Sequence, residues 1–239
     1  MIFRRKPIVM PDAMRTLLHE RLPHCAKLPP ELRARFEPRV VEFLSKKRFY
    51  GCDGLSVTDE MRVLVAGQAC LMILREDARV YPALRSVLLY PTAFWVRHEE
   101  PDEAGVVYED EVLQVGESQE WGRVILSWED CEAALAGDPV NVPAHEFAHQ
   151  LDEENPATEG APLLADYARW SQVMGEAYER LRKKGSAVLD DYGCEGPAEF
   201  FAVASEAYFQ SAARLKRHHR DLFELLKDYY LLDTLARPR

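Results

Sequence analysis

The sequence has few cysteines, and none of them form the closely spaced pairs of common zinc motifs. Five cysteines occur in 239 residues, and no two are spaced as CxxC. An odd number of scattered cysteines is typical of reduced thiols in a cytosolic protein. The sequence therefore argues against a disulfide-rich secreted domain and against a zinc site built from cysteine.

Long hydrophobic runs are also missing. The most apolar stretch, VLVAGQACLMIL at Val63–Leu74, is shorter than the roughly 20 residues that a membrane-spanning helix needs. The N-terminus carries early charge without an apolar segment behind it, so it does not resemble a signal peptide. These absences predict a cytoplasmic protein that does not associate with membranes.

Positive charge is scarce relative to negative charge. The chain has 30 lysines and arginines against 40 acidic residues, which gives a net charge of −10. Nucleic-acid binding depends on clustered cations that contact phosphates, so we expect no direct binding of nucleic acid. Two basic runs, RRK at Arg4–Lys6 and RHHR at Arg217–Arg220, are exceptions of a kind that is usually solvated surface.

The chain does have enough apolar residues, 47%, for a sizeable core. Helical periodicity covers most of the sequence before Val80 and again after Asp138. Between them lie short runs rich in β-branched and aromatic residues. The pattern predicts an α+β fold with a small, mainly antiparallel sheet between N- and C-terminal helices. We expect an N-terminal helical region, residues 1–78, packed on a second region, residues 79–239, as one compact unit.

The stretch AHEFAHQLD, Ala144–Asp152, carries the clearest chemical signal. His145 and His149 are four residues apart, so a helix presents both imidazoles on one face, where they can bind one zinc ion. Glu146 points about 100° round the helix, beside the ion. There its carboxylate can take a proton from a water molecule whose pKa zinc lowers towards about 7. The motif predicts one zinc ion per chain with Glu146 as general base.

The helical context of the motif is supported by its apolar residues. Phe147 and Leu151 are four residues apart on the side away from the histidines, where they would anchor the helix in the core. The helix start is open between two positions. Asp138 can serve as N-cap with a proline after it, or the helix begins at Pro143.

The third metal ligand is not fixed by spacing. One helix supplies two ligands easily, and Asp152 is better suited to accept a hydrogen bond from a ligand imidazole. In PAEFFAVASEAYF, Pro197–Phe209, Glu199 and Glu206 share one face of an otherwise apolar helix. Either could bind the ion while the other braces it. The candidates are Asp152, Glu153, Glu195, Glu199, Glu206, His218 and His219.

The sequence resembles the Mlc titration factor A family of zinc metallopeptidases. The resemblance extends from Lys47 to Gln210 and rests on five blocks in order. It implies a gluzincin-like enzyme with a zincin-like catalytic domain, residues 79–239, similar to that of anthrax lethal factor. The blocks are KRFYGCDGLSVTDEMRVLVAGQACLMIL, LLYPTAFWV, GESQEWGRVILSW, HEFAHQLD and PAEFFAVASEAYF.

The resemblance also implies roles for single residues. It makes His145, His149 and Glu199 the zinc ligands, which leaves Glu206 a supporting position. A tyrosine seven residues before the ligand glutamate stabilises the oxyanion in this family, and here it is Tyr192. A phenol near a metal-bound carbonyl oxygen is a suitable hydrogen-bond donor.

The expected function is zinc-dependent hydrolysis of peptide bonds, aminopeptidase-like, with a peptide as substrate. The strand RVILSW, Arg123–Trp128, would be either a sheet edge that pairs with an extended substrate or an ordinary core strand. An alternative function follows from the family's name. The protein would then be a regulatory binding partner of a sugar-responsive transcriptional repressor, with zinc in a structural or regulatory position.

Overall fold

A computed structural model describes residues 9–92, 94–101, 107–114, 116–119 and 122–237 of the chain. The basic run at Arg4–Lys6 lies outside these residues. The helices are α1 (Asp12–Arg21), α2 (Pro30–Lys46), α3 (Asp59–Leu71), α4 (Trp128–Ala136), α5 (Val142–Asp152), α6 (Tyr167–Lys184), α7 (Pro197–Gln210), α8 (Ala212–His218) and α9 (Arg220–Tyr230). The strands are β1 (Arg48–Gly51), β2 (Ser86–Tyr90), β3 (Phe94–Pro101), β4 (Val107–Gln114), β5 (Gly116–Gln119) and β6 (Arg123–Ser127).

The strands form a principal sheet and a separate hairpin. The principal sheet has the order β1-β2-β6-β5, and β3 pairs with β4 in an antiparallel hairpin. Within the principal sheet, β1 with β2 and β2 with β6 are parallel, and only β5 with β6 is antiparallel. The predicted α+β class is confirmed, but the prediction of a mainly antiparallel sheet was wrong.

The error has a topological cause. Parallel strands need a crossover connection, and α3 provides it between β1 and β2. The strand β1 was not predicted, because it has only four residues and is mostly exposed. The strand β6 then returns beside β2, while β3 and β4, two of the three strands between them in sequence, pair with each other. Short runs close in sequence suggested hairpins, whereas the main pairings are between distant strands.

The strand β6 is a core strand rather than a sheet edge. It pairs with β2 on one side and with β5 on the other, and Val124 and Leu126 are fully buried. The edge strand on this side is β5, which contacts α5. The expectation that RVILSW could pair with an extended substrate therefore does not hold for β6, because both of its edges are occupied.

One face of the principal sheet packs on the core that supports α5. Phe147 of α5 is fully buried, and its ring centroid lies 5.9 Å from that of Phe43 and 5.2 Å from that of Tyr81. Phe43 belongs to α2 and also contacts Phe49 of β1. Side chains from the first helices and from the C-terminal helices thus share one hydrophobic cluster. The boundary at residue 78 stays a prediction.

None of the helices in the described part of the chain is long and apolar enough to cross a membrane.

Candidate metal centre

The helix α5 begins later than one of the two predicted starts. Its N-cap is Asn141, whose Oδ1 accepts a hydrogen bond from the backbone N–H of Ala144 at 2.9 Å. Pro143 lies in the first turn, where its missing N–H costs nothing. Asp138 instead closes the preceding turn, since its Oδ1 accepts from the N–H of Val140. The start at Asp138 was therefore wrong, and Pro143 lies one residue inside the helix.

The two sides of α5 are used as the motif predicted. Phe147 and Leu151 are buried in the core. His145 and His149 lie on the other side, with ring centroids 4.8 Å apart. The apolar pair fixes the rotation of the helix, and that rotation directs the imidazoles towards α7.

The helix α7 packs against α5 and brings two acids to the histidines. It starts at Pro197 after Gly196, so Glu199 lies in its first turn. Glu206 follows two turns later on the same face, about 10 Å along the axis. The rest of the helix is mostly buried and apolar, which holds both carboxylates against α5.

Three donor atoms converge between the two helices. The Nε2 atom of His145 lies 3.1 Å from Nε2 of His149 and 3.1 Å from Oε2 of Glu199, and His149 Nε2 lies 3.3 Å from the same oxygen. Ligands placed tetrahedrally at about 2.0–2.1 Å from zinc are about 3.3–3.4 Å apart. The triangle is therefore close to one face of such a tetrahedron, and the donor set fits a divalent metal ion.

The electrostatics of the cluster favour positive charge. Burial works against charge on His145, but hydrogen bonds to Glu199 and Glu206 outweigh it and raise its pKa to about 10. Burial likewise opposes the Glu199 carboxylate, yet the bonds to His145 and His149 lower its pKa to about 2. Both shifts express the same attraction, and a bound metal ion would replace the proton on Nε2 of His145.

Glu206 holds the far side of the His145 ring. Its Oε1 lies 2.7 Å from Nδ1 of His145, and its Oε2 accepts from the backbone N–H of Asn141 at 2.9 Å. An ionised carboxylate only accepts, so Nδ1 carries the proton and Nε2 is directed to the metal position. Glu206 thus joins the ligand imidazole to the start of α5. The spacing of the sequence did not predict the contact with Asn141.

Asp152 lies at the end of α5 and holds the following loop. Its Oδ2 accepts from the backbone N–H of Gly160 at 3.0 Å. Burial raises the pKa of Asp152, while the loop N–H groups and the nearby His149 lower it. It is close enough to His149 for an electrostatic effect, but its hydrogen bond goes to the loop. The proposed bond from Asp152 to a ligand imidazole stays a prediction.

Glu146 and Tyr192 lie near the donor triangle. Glu146 is 4% exposed and is among the charges that raise the pKa of both His145 and Tyr192. Tyr192 is 47% exposed, and its ring centroid lies 5.9 Å from that of His145. Its backbone N–H is held by Asp190 in a short 3₁₀ turn that packs on α7. Burial, followed by the acids Glu199, Glu195 and Glu146, raises the pKa of Tyr192 to about 12.

The other ligand candidates lie elsewhere. Within the described residues, the only group of histidine, cysteine and acidic side chains that could hold a metal ion is His145, His149 and Glu199. His219 bonds Ser186 through Nε2 at 3.0 Å, and Glu153 accepts from Gln150. Spacing left open whether Glu199 or Glu206 is the third ligand. In the structure Glu199 faces Nε2 of His145 and Glu206 faces Nδ1, so Glu199 is the acid in the donor group.

Comparison with known proteins adds relatives along nearly the whole chain. A family model described as glucose-regulated metallo-peptidase M90 matches residues 2–231. An uncharacterized protein of Synechocystis sp. is 37% identical over 236 residues, covering 95% of this chain and 86% of that protein. Mlc titration factor A of Pectobacterium atrosepticum is 30% identical over 225 residues, covering 90% and 85%. The Klebsiella pneumoniae protein of that name is 30% identical over 227 residues, covering 91% and 86%.

Proposed function

This chain belongs to the glucose-regulated metallo-peptidase M90 family, and we propose that it is a zinc-dependent, aminopeptidase-like peptidase. The observation that carries the proposal is the triangle of donor atoms from His145, His149 and Glu199, with sides of 3.1, 3.1 and 3.3 Å. Two imidazoles and one carboxylate are a ligand set of catalytic zinc sites that keep one position for water. We therefore expect one zinc ion per chain.

Zinc and the residues of the chain would contribute different parts of the reaction. When bound, zinc would polarise the scissile carbonyl and lower the pKa of water towards about 7. Glu146 follows the first ligand on α5 and lies near the cluster, so its carboxylate is suited to take the proton of the attacking water. The same carboxyl group then gives that proton to the leaving amine. Glu206 keeps the His145 ring oriented throughout.

Tyr192 is suited to stabilise the oxyanion. Its raised pKa keeps the phenol protonated, as a hydrogen-bond donor must be. Its exposure and its position beside His145 leave the hydroxyl accessible to a substrate carbonyl. The support for this role is the position of the Tyr192 ring beside His145. Substitution by phenylalanine removes only the hydroxyl and therefore measures its contribution to activity.

The substrate would lie along β5. This strand is the edge of the principal sheet next to α5, so its outer backbone groups can pair with an extended peptide. A peptide in that position runs between the sheet edge and the metal-binding helix. The edge of β5 replaces β6 as the candidate for substrate pairing.

The test combines metal analysis with hydrolysis of chromogenic aminoacyl substrates. We expect about one zinc per chain, activity that a chelator removes and zinc restores, and a loss of roughly 10²–10⁴-fold in Glu146→Gln with zinc retained. Glu176→Gln, which changes an exposed acid on α6, is the matched control and should leave activity unchanged. Activity that persists in Glu146→Gln would refute the role of Glu146.

The aminopeptidase-like character needs its own assay. A substrate with a free α-amine and the same substrate with an acetylated amine should be compared at equal concentration. Hydrolysis of the free form alone supports the proposal. Equal hydrolysis of both, or cleavage within a longer blocked peptide, would instead identify an endopeptidase.

A second proposal is that the chain binds a transcriptional repressor protein. Its support is the name of the relatives, Mlc titration factor A, which describes an action on a partner called Mlc. A pull-down of candidate repressors from the host with wild type and His145→Ala tests it. Binding of a repressor by both forms would separate this function from zinc. Retention of no repressor by either form would contradict the proposal.

A further inference from the structure

The face of the principal sheet opposite α5 carries an open depression of about 980 Å³. Six residues define what we call the arginine face. They are Arg48, Tyr50, Arg85, Ser86, Leu88 and Arg123. Among residues 9–92 and 122–237, no acidic residue lines the depression. The chain as a whole has 40 acidic and 30 basic residues, so a group of three neighbouring arginines is unusual for it.

Strand register assembles the arginine face. Arg48, Ser86 and Arg123 are paired in one row across β1, β2 and β6. Neighbouring strands are about 4.8 Å apart, so the first and last of these residues are separated by roughly 10 Å at Cα. Arg85 precedes the row directly, and its backbone N–H bonds to Gly122 next to Arg123. Arg85 lines the same depression as Arg48 and Arg123, so three arginines lie together at one end of the sheet.

The three arginines have no intramolecular partner in the described part of the chain. All three are exposed, and their side chains form neither a hydrogen bond nor an ion pair with another described residue. Several arginines elsewhere do, since Arg15 bonds Glu37 and Arg21 bonds Glu60. Like charges side by side on a sheet disfavour the fold. A counter-charge from outside the molecule would remove that cost.

The arginine face is separate from the metal centre. Residues that alternate with Arg48 and Ser86 along the strands, Phe49 and Val87, point to the opposite side of the sheet. Phe49 contacts Phe43, which in turn contacts Phe147 of α5. The metal-binding helix and the arginines thus lie on opposite sides of the sheet, so the depression is no part of the proposed peptidase site.

We propose that the arginine face binds a short, extended acidic segment of a partner protein. Arginine forks fit carboxylates in pairs, and acids two to three residues apart in an extended chain are roughly 7–10 Å apart, as the arginine row requires. Tyr50 is 48% exposed and Leu88 is half-buried between the cations, and they offer contact to apolar side chains of such a segment.

Charge and composition favour a peptide over nucleic acid. Nucleic-acid binding needs many phosphate contacts, and the net charge of −10 repels a long polyanion. Single-stranded nucleic acid also stacks its bases on several aromatic residues, whereas Tyr50 is the one aromatic residue that the described lining contains. A short acidic segment needs only the local cations.

The test uses a capped peptide of about ten residues that alternates glutamate with serine around a central leucine, carrying a neutral dye. Fluorescence anisotropy measures its binding at about 50 mM and about 300 mM salt. We expect binding that weakens with salt and that is weaker by roughly fivefold or more in Arg48→Gln/Arg123→Gln. The same peptide with glutamine for glutamate should not bind.

The matched control is Arg217→Gln/Arg220→Gln, which removes the same charge from two exposed arginines at the junction of α8 and α9. Binding should change by less than about twofold in this control. Circular dichroism and thermal unfolding verify that both double variants are folded. Equal weakening in the two variants would mean that net charge alone matters, and would overturn the proposal, as would a wild-type protein that does not bind the peptide.

Two further outcomes would reassign the face. A labelled ten-nucleotide oligothymidylate that binds through the same arginines more tightly than the peptide would make it a nucleic-acid surface. A wild-type dimer in sedimentation velocity that Arg48→Gln/Arg123→Gln dissociates would make a second copy the occupant. That copy could use its own run HEEPDEAGVVYEDE at residues 98–111, which has seven acids. Either result would overturn the proposal of an acidic partner protein.

Discussion

On the side of the sheet where α5 packs, His145 contacts two carboxylates, whereas on the opposite face Arg48 and Arg123 contact none among the described residues. Both regions concentrate charge at a few positions. In the first, the groups lie between two packed helices and are partly buried, so each needs its neighbour. In the second, water solvates each guanidinium, so no internal partner is required.

The difference teaches how each region can act. The cluster between α5 and α7 gathers acceptors and lone pairs around one point, and its pKa shifts show that the point favours positive charge. The arginine face gathers donors on a surface and favours negative charge. Changes to the first region should therefore affect folding and metal affinity together, while changes to the second should leave both almost untouched.

The largest effect is expected in the hydrophobic core behind the metal ligands. Phe147 is fully buried behind the metal ligands and contacts Phe43 and Tyr81. Phe147→Ala should lower the free energy of unfolding by about 3–5 kcal/mol, because it leaves a large cavity in the common core. Chemical denaturation followed by circular dichroism measures this. Val140→Ala, at an exposed position just before α5, should change it by less than about 0.5 kcal/mol.

The second-largest effect is expected at Glu206, in the metal centre alone. Glu206→Leu removes the acceptor for both His145 Nδ1 and the backbone N–H of Asn141. We expect zinc affinity to fall by roughly 10–100-fold, since the ligand ring loses its orientation. Competition with a chromophoric chelator measures the affinity.

The conservative variant Glu206→Gln separates orientation from general damage. Glutamine keeps one oxygen as acceptor, so it should retain more zinc affinity than leucine at equal stability. Affinities that are equal in the two variants would mean that Glu206 does not position His145. Glu176→Leu on α6 controls for the loss of an acid elsewhere.

The third effect is a pH dependence that belongs to neither region. The Nε2 of His24 donates to the backbone oxygen of Phe209 at 2.8 Å, because a carbonyl only accepts. Burial, then the charge of Lys27, lowers the pKa of His24 from 6.5 to about 4. Below pH 6.5 the unfolded chain binds a proton that the folded protein excludes. Stability is therefore lost as pH falls from 6.5 towards about 4.

The size of this effect is on the order of 2 kcal/mol, since each pKa unit corresponds to about 1.4 kcal/mol. His24→Gln should keep the hydrogen bond to Phe209 and reduce the difference in unfolding free energy between pH 7 and pH 4.5 by about that amount. Denaturant titrations at both pH values measure it. His19→Gln, at an exposed histidine of α1, should leave the difference unchanged. An unaltered difference in His24→Gln would assign the acid sensitivity to other groups.

The smallest effect is expected for the arginine face. Arg48→Gln/Arg123→Gln should change the free energy of unfolding by no more than about 0.5 kcal/mol, and at low salt the change should be stabilising, because like charges are removed. Thermal unfolding at low and high salt measures this. A loss of 2 kcal/mol or more would mean that these arginines have internal partners, and the contrast between the two faces would not hold.

Much of the candidate site could be predicted from the sequence. The spacing of His145 and His149 and the apolar pair behind them predicted a helix with ligands on one face, and α5 has this arrangement. Spacing could not choose between Glu199 and Glu206, since both lie on one face of α7. That choice depends on how far along α7 its contact with α5 extends, which is a property of packing.

The sheet was less accessible to prediction. The strand β1 has only four residues and is mostly exposed, so no periodicity marked it. Its pairing with β2 depends on the crossover through α3, and local sequence carries no signal for a partner that lies 38 positions away. The β3–β4 hairpin, in contrast, pairs neighbours in sequence, where short-range patterns are informative.

The arginine face was also inaccessible to prediction from local sequence. Basic runs such as RHHR are visible in the sequence, because their cations are adjacent along the chain. The arginine face combines Arg48, Arg85 and Arg123, which are distant in sequence and stand alone or in short groups. Only the register of three strands brings them together.

The sequence by itself determined the chemistry of the chain: two imidazoles and an adjacent acid on one helix, an apolar helix with two acids, and an excess of negative charge. These properties depend on residue type and on spacing within single elements, which local backbone geometry fixes. The tertiary structure decided which acid faces the Nε2 atoms, which strand forms the sheet edge, and where unpaired positive charge collects. Those outcomes depend on contacts between distant segments, whose geometry is set only when the helices and the sheet pack together.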